Sequence, residues 1–269
     1  MKVVATIRML SLLVLGLLAG SSLRGQSDTV GRLSIEEIQQ LPDTTLRLAF
    51  HFVGLPDGRN FLAEGQDSLL LAYGNNEKLR AEILIWYVMR ELNGRFRYSM
   101  LDYEPSKDTR IRFAEARQLD KTLERAYFYA HGERPRRIPD VYNVIFQHYP
   151  GARPPSAATG GVGSQTIYIY NVLQNYLAGS QDTWSPARQL AHEIGHTLTL
   201  DHTFKCDNPC AGQGFDPLEE CFGDCVDHNH GSDKVNCFGG SQRQLVMGYG
   251  SQLNFTVCEV ERMWGYLLR

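Results

Sequence analysis

Apolar and polar positions change period several times along the chain, and each change marks a different element. Leu46–Val53 (LRLAFHFV) alternates and reads as a strand, with His51 a packed strand residue rather than a ligand. From Asn76 to Leu92 the period is helical, with Leu79, Ile83, Ile85, Tyr87, Val88 and Leu92 on or near one face. Asn93-Gly94 is the expected stop. Arg110–Ala114, Val141–Tyr149 and Thr166–Tyr170 read as further strands, His148 again being structural. Between them, Tyr127, Phe128 and Tyr129 fit either a helix or an edge strand, closed by Pro135 and Pro139. Ser34 with Glu37 forms a capping box for a brief helix before Pro42. Thr256 with Glu259 caps a terminal helix whose apolar side is Val260, Met263, Trp264, Leu267 and Leu268. Strand, helix, then several strands and another helix predict an α+β fold around a mixed, twisted sheet.

Composition narrows this little. A hydrophobic content of 43% and a charged content of 21% are ordinary for a globular chain. The net charge of −3 argues against a nucleic-acid binder. The first residues say more: Lys2 and Arg8 precede an apolar run, Met9–Ala19, and then small residues. That reads as a signal peptide over 1–25, with cleavage after Gly25 favoured over cleavage after Ser21, and implies a secreted or periplasmic protein. No other stretch reaches the roughly 18 apolar residues of a membrane span. All six cysteines (Cys206, Cys210, Cys221, Cys225, Cys237, Cys258) lie in the last third. In an exported chain they imply disulfides of undetermined pairing, a stronger reading than a zinc knuckle from Cys206/Cys210 and Cys221/Cys225.

The chemistry concentrates in AHEIGHTLTLDHTF, residues 191–204. His192 and His196 are four apart, so on a helix they share one face and can bind one zinc ion. Glu193 lies beside them, placed to take a proton without ligating the metal. His202 completes three ligands only if the chain turns sharply near Thr199–Asp201. Three protein ligands and an open position describe a catalytic zinc site rather than a structural one.

These residues resemble the metzincin zinc peptidases, and among them the pappalysin-like branch. The general pattern is H-E-x-x-H-x-x-G-x-x-H with a later methionine turn. The branch resemblance adds Thr203-Phe204 and Cys206 after the third histidine, Leu245-Val246-Met247-Gly248-Tyr249 as the turn, and Asn254-Phe255-Thr256 with Glu261-Arg262-Met263 as the closing helix. It covers roughly residues 109–269. One departure stands out: the pattern's glycine falls on Thr199, where a β-branched residue takes positive φ only at a cost.

The resemblance implies two lobes: an upper one over 45–202 carrying the sheet and zinc helix, and a disulfide-stapled, loop-rich lower one over 203–269 with a terminal helix. Residues 26–44 form a short N-terminal segment. It implies zinc on His192, His196 and His202, Glu193 as general base, Met247 packed beneath the imidazoles, and Tyr249 near the metal. Small residues at Ala157, Ala158, Thr159, Gly160 and Gly161, within a rim expected over 157–163, leave backbone accessible to an extended peptide substrate. Asp224–Asp233, with His228 and His230, is rich in oxygen donors and a candidate calcium loop, although a solvated loop is the simpler reading. The expected function is a secreted zinc endopeptidase. Two alternatives stay open: a zinc-binding module that does not cleave, and a zinc hydrolase of a non-peptide amide.

Overall fold

The computed structural model describes residues 33–59, 81–97, 108–149, 151, 157–177, 185–202, 246–247 and 255–269. In chain order these form α1 (Ile35–Gln39), β1 (Thr44–Val53), α2 (Ala81–Arg97), β2 (Ile111–Glu115), α3 (Ala116–Leu119) and β3 (Ala126–Tyr129). There follow β4 (Tyr142–Gln147), β5 (Ala157–Thr159), β6 (Thr166–Tyr170), α4 (Val172–Leu177), α5 (Ser185–Thr197) and α6 (Val257–Leu267). Among the described residues no helix is long and apolar enough to cross a membrane.

The strands make one mixed sheet in the order β2-β1-β4-β6-β5. β1 is its hub. Its first half pairs in parallel with β2, its second half with β3 along the same edge, and β4 runs parallel on the other side. β6 is parallel to β4, whereas β5 runs antiparallel to β6 at the end of the order. The ambiguous aromatic run is therefore a strand. Phe50 pairs with Ala126 and Val53 with Tyr129, and the Phe128 ring stacks on Phe52 at 5.6 Å.

Alternation along the strands separates two faces. Ile167 and Ile169 are fully buried, and the half-exposed Tyr168 and Tyr170 point the other way. The buried face carries Phe50, Phe52 and Phe146, with Phe52 and Phe146 stacked at 4.9 Å, and α2 and α5 pack together over the same core. On the far face His51 is buried and wholly satisfied. One ring nitrogen meets Asn143 Oδ1 at 2.9 Å, the other the Tyr129 hydroxyl at 3.2 Å. It is a packed residue, as its sequence context suggests, and His148 likewise spends Nδ1 on Gln174 Oε1 at 2.7 Å.

Several boundaries differ from the sequence expectation: β1 starts two residues before Leu46, β4 is shorter than Val141–Tyr149 at both ends, and two further differences have a visible cause. Helix α2 does not stop at Asn93-Gly94 but continues to Arg97. The Asn93 amide is engaged sideways: Nδ2 donates to the Met89 and Phe113 carbonyls, and Oδ1 accepts from Phe113 N–H. One more turn then buries Phe96 against Phe113 and Phe255, a gain that outweighs the glycine's propensity cost of about 1 kcal/mol. The second strand starts one residue late, because Arg110 is left-handed (φ 60) and turns the chain into Ile111.

Both capping boxes form. Ser34 caps α1 and Thr256 caps α6, each paired with the glutamate three residues on. Cys258 at the start of α6 is disulfide-bonded. Its pairing, the other five cysteines, and most of the stapled lobe expected over 203–269 lie outside the described residues, as does the segment 1–25.

Candidate metal centre

Helix α5 carries His192 and His196 one turn apart, and its ending brings in His202. Leu198 N–H bonds to the Ile194 carbonyl; then Leu200 N–H reaches back to the Gly195 carbonyl (2.9 Å) and Thr199 N–H to the His196 carbonyl (3.2 Å). That pair of bonds is a Schellman ending, with Thr199 in the left-handed position at φ 78. The sharp turn is thus built as a glycine would build it, with a threonine carrying the strain. Leu200, buried at 3% exposure, packs back towards Gly195, the apolar contact that accompanies such endings.

The three histidines converge. Their Nε2 atoms form a triangle of 3.1 Å (His192–His202), 3.1 Å (His192–His196) and 3.2 Å (His196–His202). Three nitrogens each about 2.0–2.1 Å from one tetrahedral ion would stand about 3.3 Å apart. The donor chemistry agrees with that spacing. His192 Nδ1 lies 2.7 Å from the Val246 carbonyl and His196 Nδ1 2.8 Å from the Leu200 carbonyl. A carbonyl only accepts, so both Nδ1 atoms carry the proton and both Nε2 atoms present lone pairs. Two lone pairs facing one another at 3.1 Å repel unless a cation lies between them. Among the described residues, this is the group of histidines, cysteines and carboxylates able to hold a metal.

Burial tunes the neighbours. It lowers His192 to about 4, with the His196 charge acting the same way and the Val246 bond opposing, so the ring is neutral at neutral pH. Burial alone pushes the Glu193 carboxyl up to about 7. A carboxyl in that range can both take and release a proton at neutral pH.

Met247 is fully buried, in a turn with Val246. It packs against α5 at Gly195, where any Cβ would overlap Met247 Sδ and crowd Cε. Gly195 is therefore a site residue that motif reading passed over, since the x positions of H-E-x-x-H carry no ligand. Its signal was a glycine inside a helix, which costs stability unless something approaches closely. The carbonyls of Val246 and Leu200 left no sequence signal, because every residue has one.

Of the rim residues, Ala157, Ala158 and Thr159 form β5 at the sheet's end, pairing with Ile169, Tyr168 and Ile167. The strand is shorter than the expected 157–163. Gly160 and Gly161 lie beyond it, and Gly161 (φ 89) and Gly163 (φ 74) turn the chain so that Gly163 N–H bonds to the Thr197 carbonyl at the end of α5. Tyr249 and Asp224–Asp233 lie outside the described residues, and nothing supports calcium. A separate groove of about 530 Å3 between α2 and β2, lined by Trp86, Arg90, Arg97, Phe113 and Glu115, shares no residue with the histidine cluster.

Comparison with known proteins gives two matches. The profile of a peptidase family described as pregnancy-associated plasma protein-A matches residues 158–268, which include α5, the Met247 turn, α6 and the rim residues from Ala158 on. A structure of mature mirolysin from Tannerella forsythia, in complex with a cleaved peptide, is 14% identical with a TM-score of 0.43, covering 82% of this chain and 91% of that one. No curated protein sequence matches the chain.

Proposed function

From the match of residues 158–268 to the pregnancy-associated plasma protein-A family of metzincin metallopeptidases, we propose that the chain is a zinc-dependent peptidase that works through His192, His196 and His202 as ligands and Glu193 as general base. The observation that carries the reading is the Nε2 triangle, into which His192 and His196 turn their lone pairs. Zinc held there would supply Lewis acidity, acidifying a water and drawing charge from a carbonyl oxygen.

The chain's own residues do the rest. A carboxylate oxygen of Glu193 accepts the proton of the attacking water and delivers it to the amine nitrogen as the peptide bond breaks. Desolvation suits Glu193 to both halves of that transfer by bringing its affinity for the proton close to neutrality. Val246 and Leu200 hold the rings of His192 and His196 in one tautomer, and Met247 wedges against Gly195 to fix the floor beneath them. Ala157–Thr159, at the sheet's end, offers backbone to an extended peptide. Tyr249 donates a hydrogen bond to the oxyanion in this proposal, and residues 1–25 direct export.

Zinc content and casein cleavage of wild type and Glu193→Gln test the reading together. Both proteins should bind about one zinc per chain, and the variant should lose about 100-fold or more of its cleavage rate. Normal cleavage by Glu193→Gln, or a wild type without zinc, would overturn it.

A further inference from the structure

Thr199 poses a physical question that the zinc motif leaves open. A β-branched residue at φ 78 persists only where its surroundings over-determine it. The two Schellman bonds fix its N–H side. Its carbonyl is gripped from a different part of the chain: Arg262 Nη2 on α6 donates to Thr199 O at 3.0 Å, across 63 positions of sequence.

We propose that Arg262 is a positioning residue for the third metal ligand, its guanidinium holding the left-handed Thr199 turn that brings His202 round to His192 and His196. The inference rests on the reading of those three histidines as metal ligands. The carbonyl orientation of Thr199 is set by its own ψ, so a donor fixed in space at that oxygen restrains the dihedral directly. The donor is fixed. Arg262 rises from a helix capped by Thr256 and Glu259, with the next two residues, Met263 and Trp264, buried and Trp264 Nε1 bonded to the Thr109 carbonyl at 2.6 Å. Nη1 of the same guanidinium is buried with no hydrogen-bond partner among the described residues.

Charge acts in the same direction. The last carbonyls of α5 form the negative end of its dipole, and a half-buried cation there is favourable. Several other carbonyls at this ending are met locally or by neighbours: Gly195 by Leu200 N–H, His196 by Thr199 N–H, Thr197 by Gly163 N–H, Leu200 by the His196 ring. The Thr199 carbonyl is the one that takes a charged side chain from α6. A glycine at 199 would adopt the same turn without strain, so Arg262 and Thr199 form a coupled pair, the clamp standing in for the freedom the threonine lacks.

A double-mutant cycle tests this in zinc affinity, measured by competition with a chromogenic chelator, and in the visible spectrum of the cobalt-substituted protein. The four proteins are wild type, Arg262→Met, Thr199→Gly and the double variant, with circular dichroism of each metal-free form to verify folding. Arg262→Met should weaken zinc binding about tenfold or more, the usual scale for residues supporting a ligand, and shift the cobalt spectrum. In the Thr199→Gly background the same change should cost less than about threefold, which is near the limit of simple additivity. If Arg262→Met does not fold, the cycle is run with Arg262→Lys, which keeps the cation and its stem; the same coupling, smaller in size, is expected. Equal losses in both backgrounds, or unchanged affinity in all four proteins, would overturn the role of Arg262 and leave the ligand reading intact. A folded wild type that binds no zinc would overturn the ligand reading itself, and the inference with it.

Discussion

Gly195 and Thr199 show how backbone geometry at single residues shapes the histidine cluster. Gly195 has no side chain because Met247 occupies the space, and Met247 is the neighbour of the carbonyl that orients His192. Gly195→Ala gains about 1 kcal/mol of helix propensity. Against that stands overpacking of about 1–3 kcal/mol, because Sδ is mid-chain in Met247 and moving it disturbs Val246. A net loss of stability with weaker zinc binding is expected. Thermal unfolding and chelator competition would read both, and an alanine variant as stable as wild type would show that the contact yields easily. Thr199 makes the complementary point. It occupies the pattern's glycine position and still takes the glycine conformation, φ 78, so the departure read from the sequence changes the strain and not the path of the chain.

Helix α6 carries a pH dependence of its own. Its capping residue Glu259 is buried, and burial raises the carboxyl to about 7 against the opposing effects of the Thr256 bonds and the Arg262 charge. The folded value lies above the unfolded one, so the folded protein holds a proton that the unfolded chain releases. The contribution is fully present below about pH 4.5 and lost as pH rises through about 7, on the order of 3 kcal/mol in all. Glu259→Gln still accepts from Thr256 N–H but does not ionise. Denaturation between pH 5 and pH 8 should therefore show wild type losing stability that the variant keeps, and parallel curves would refute the assignment. This helix and α1 were legible in the sequence because a capping box is complete within four residues. The end of α2 was not legible, because Asn93 is satisfied by Phe113, twenty residues away on another element.

Across the whole molecule, the N-terminal segment joins elements far apart in sequence. Ile35 and Ile38 of α1 are buried, Ile35 N–H donates to Glu261 Oε1 on α6 (3.1 Å), and Arg110 Nε donates to the Leu41 carbonyl (2.9 Å). Deleting the chain through Pro42 removes two buried isoleucines, an upper estimate of about 3–6 kcal/mol. Urea denaturation should show that loss, and an unchanged midpoint would mean that α1 is dispensable. By itself the sequence determined what depends on neighbours a few residues apart. It marked β1, β4 and β6 by short apolar runs, the two capped helices by their i, i+3 pairs, and His192, Glu193 and His196 by one turn of helix. It also named His202, and left open how the chain would reach it. Tertiary structure decided what depends on distant partners. Residues 126–129 became a strand because β1 had an open edge beside β2; α2 ran past its glycine because Phe96 found a core; and the path to His202 was set by a left-handed threonine whose carbonyl meets Arg262. Periodicity and caps are local energies that a short window contains, whereas a close approach or a clamp exists only after distant segments have packed.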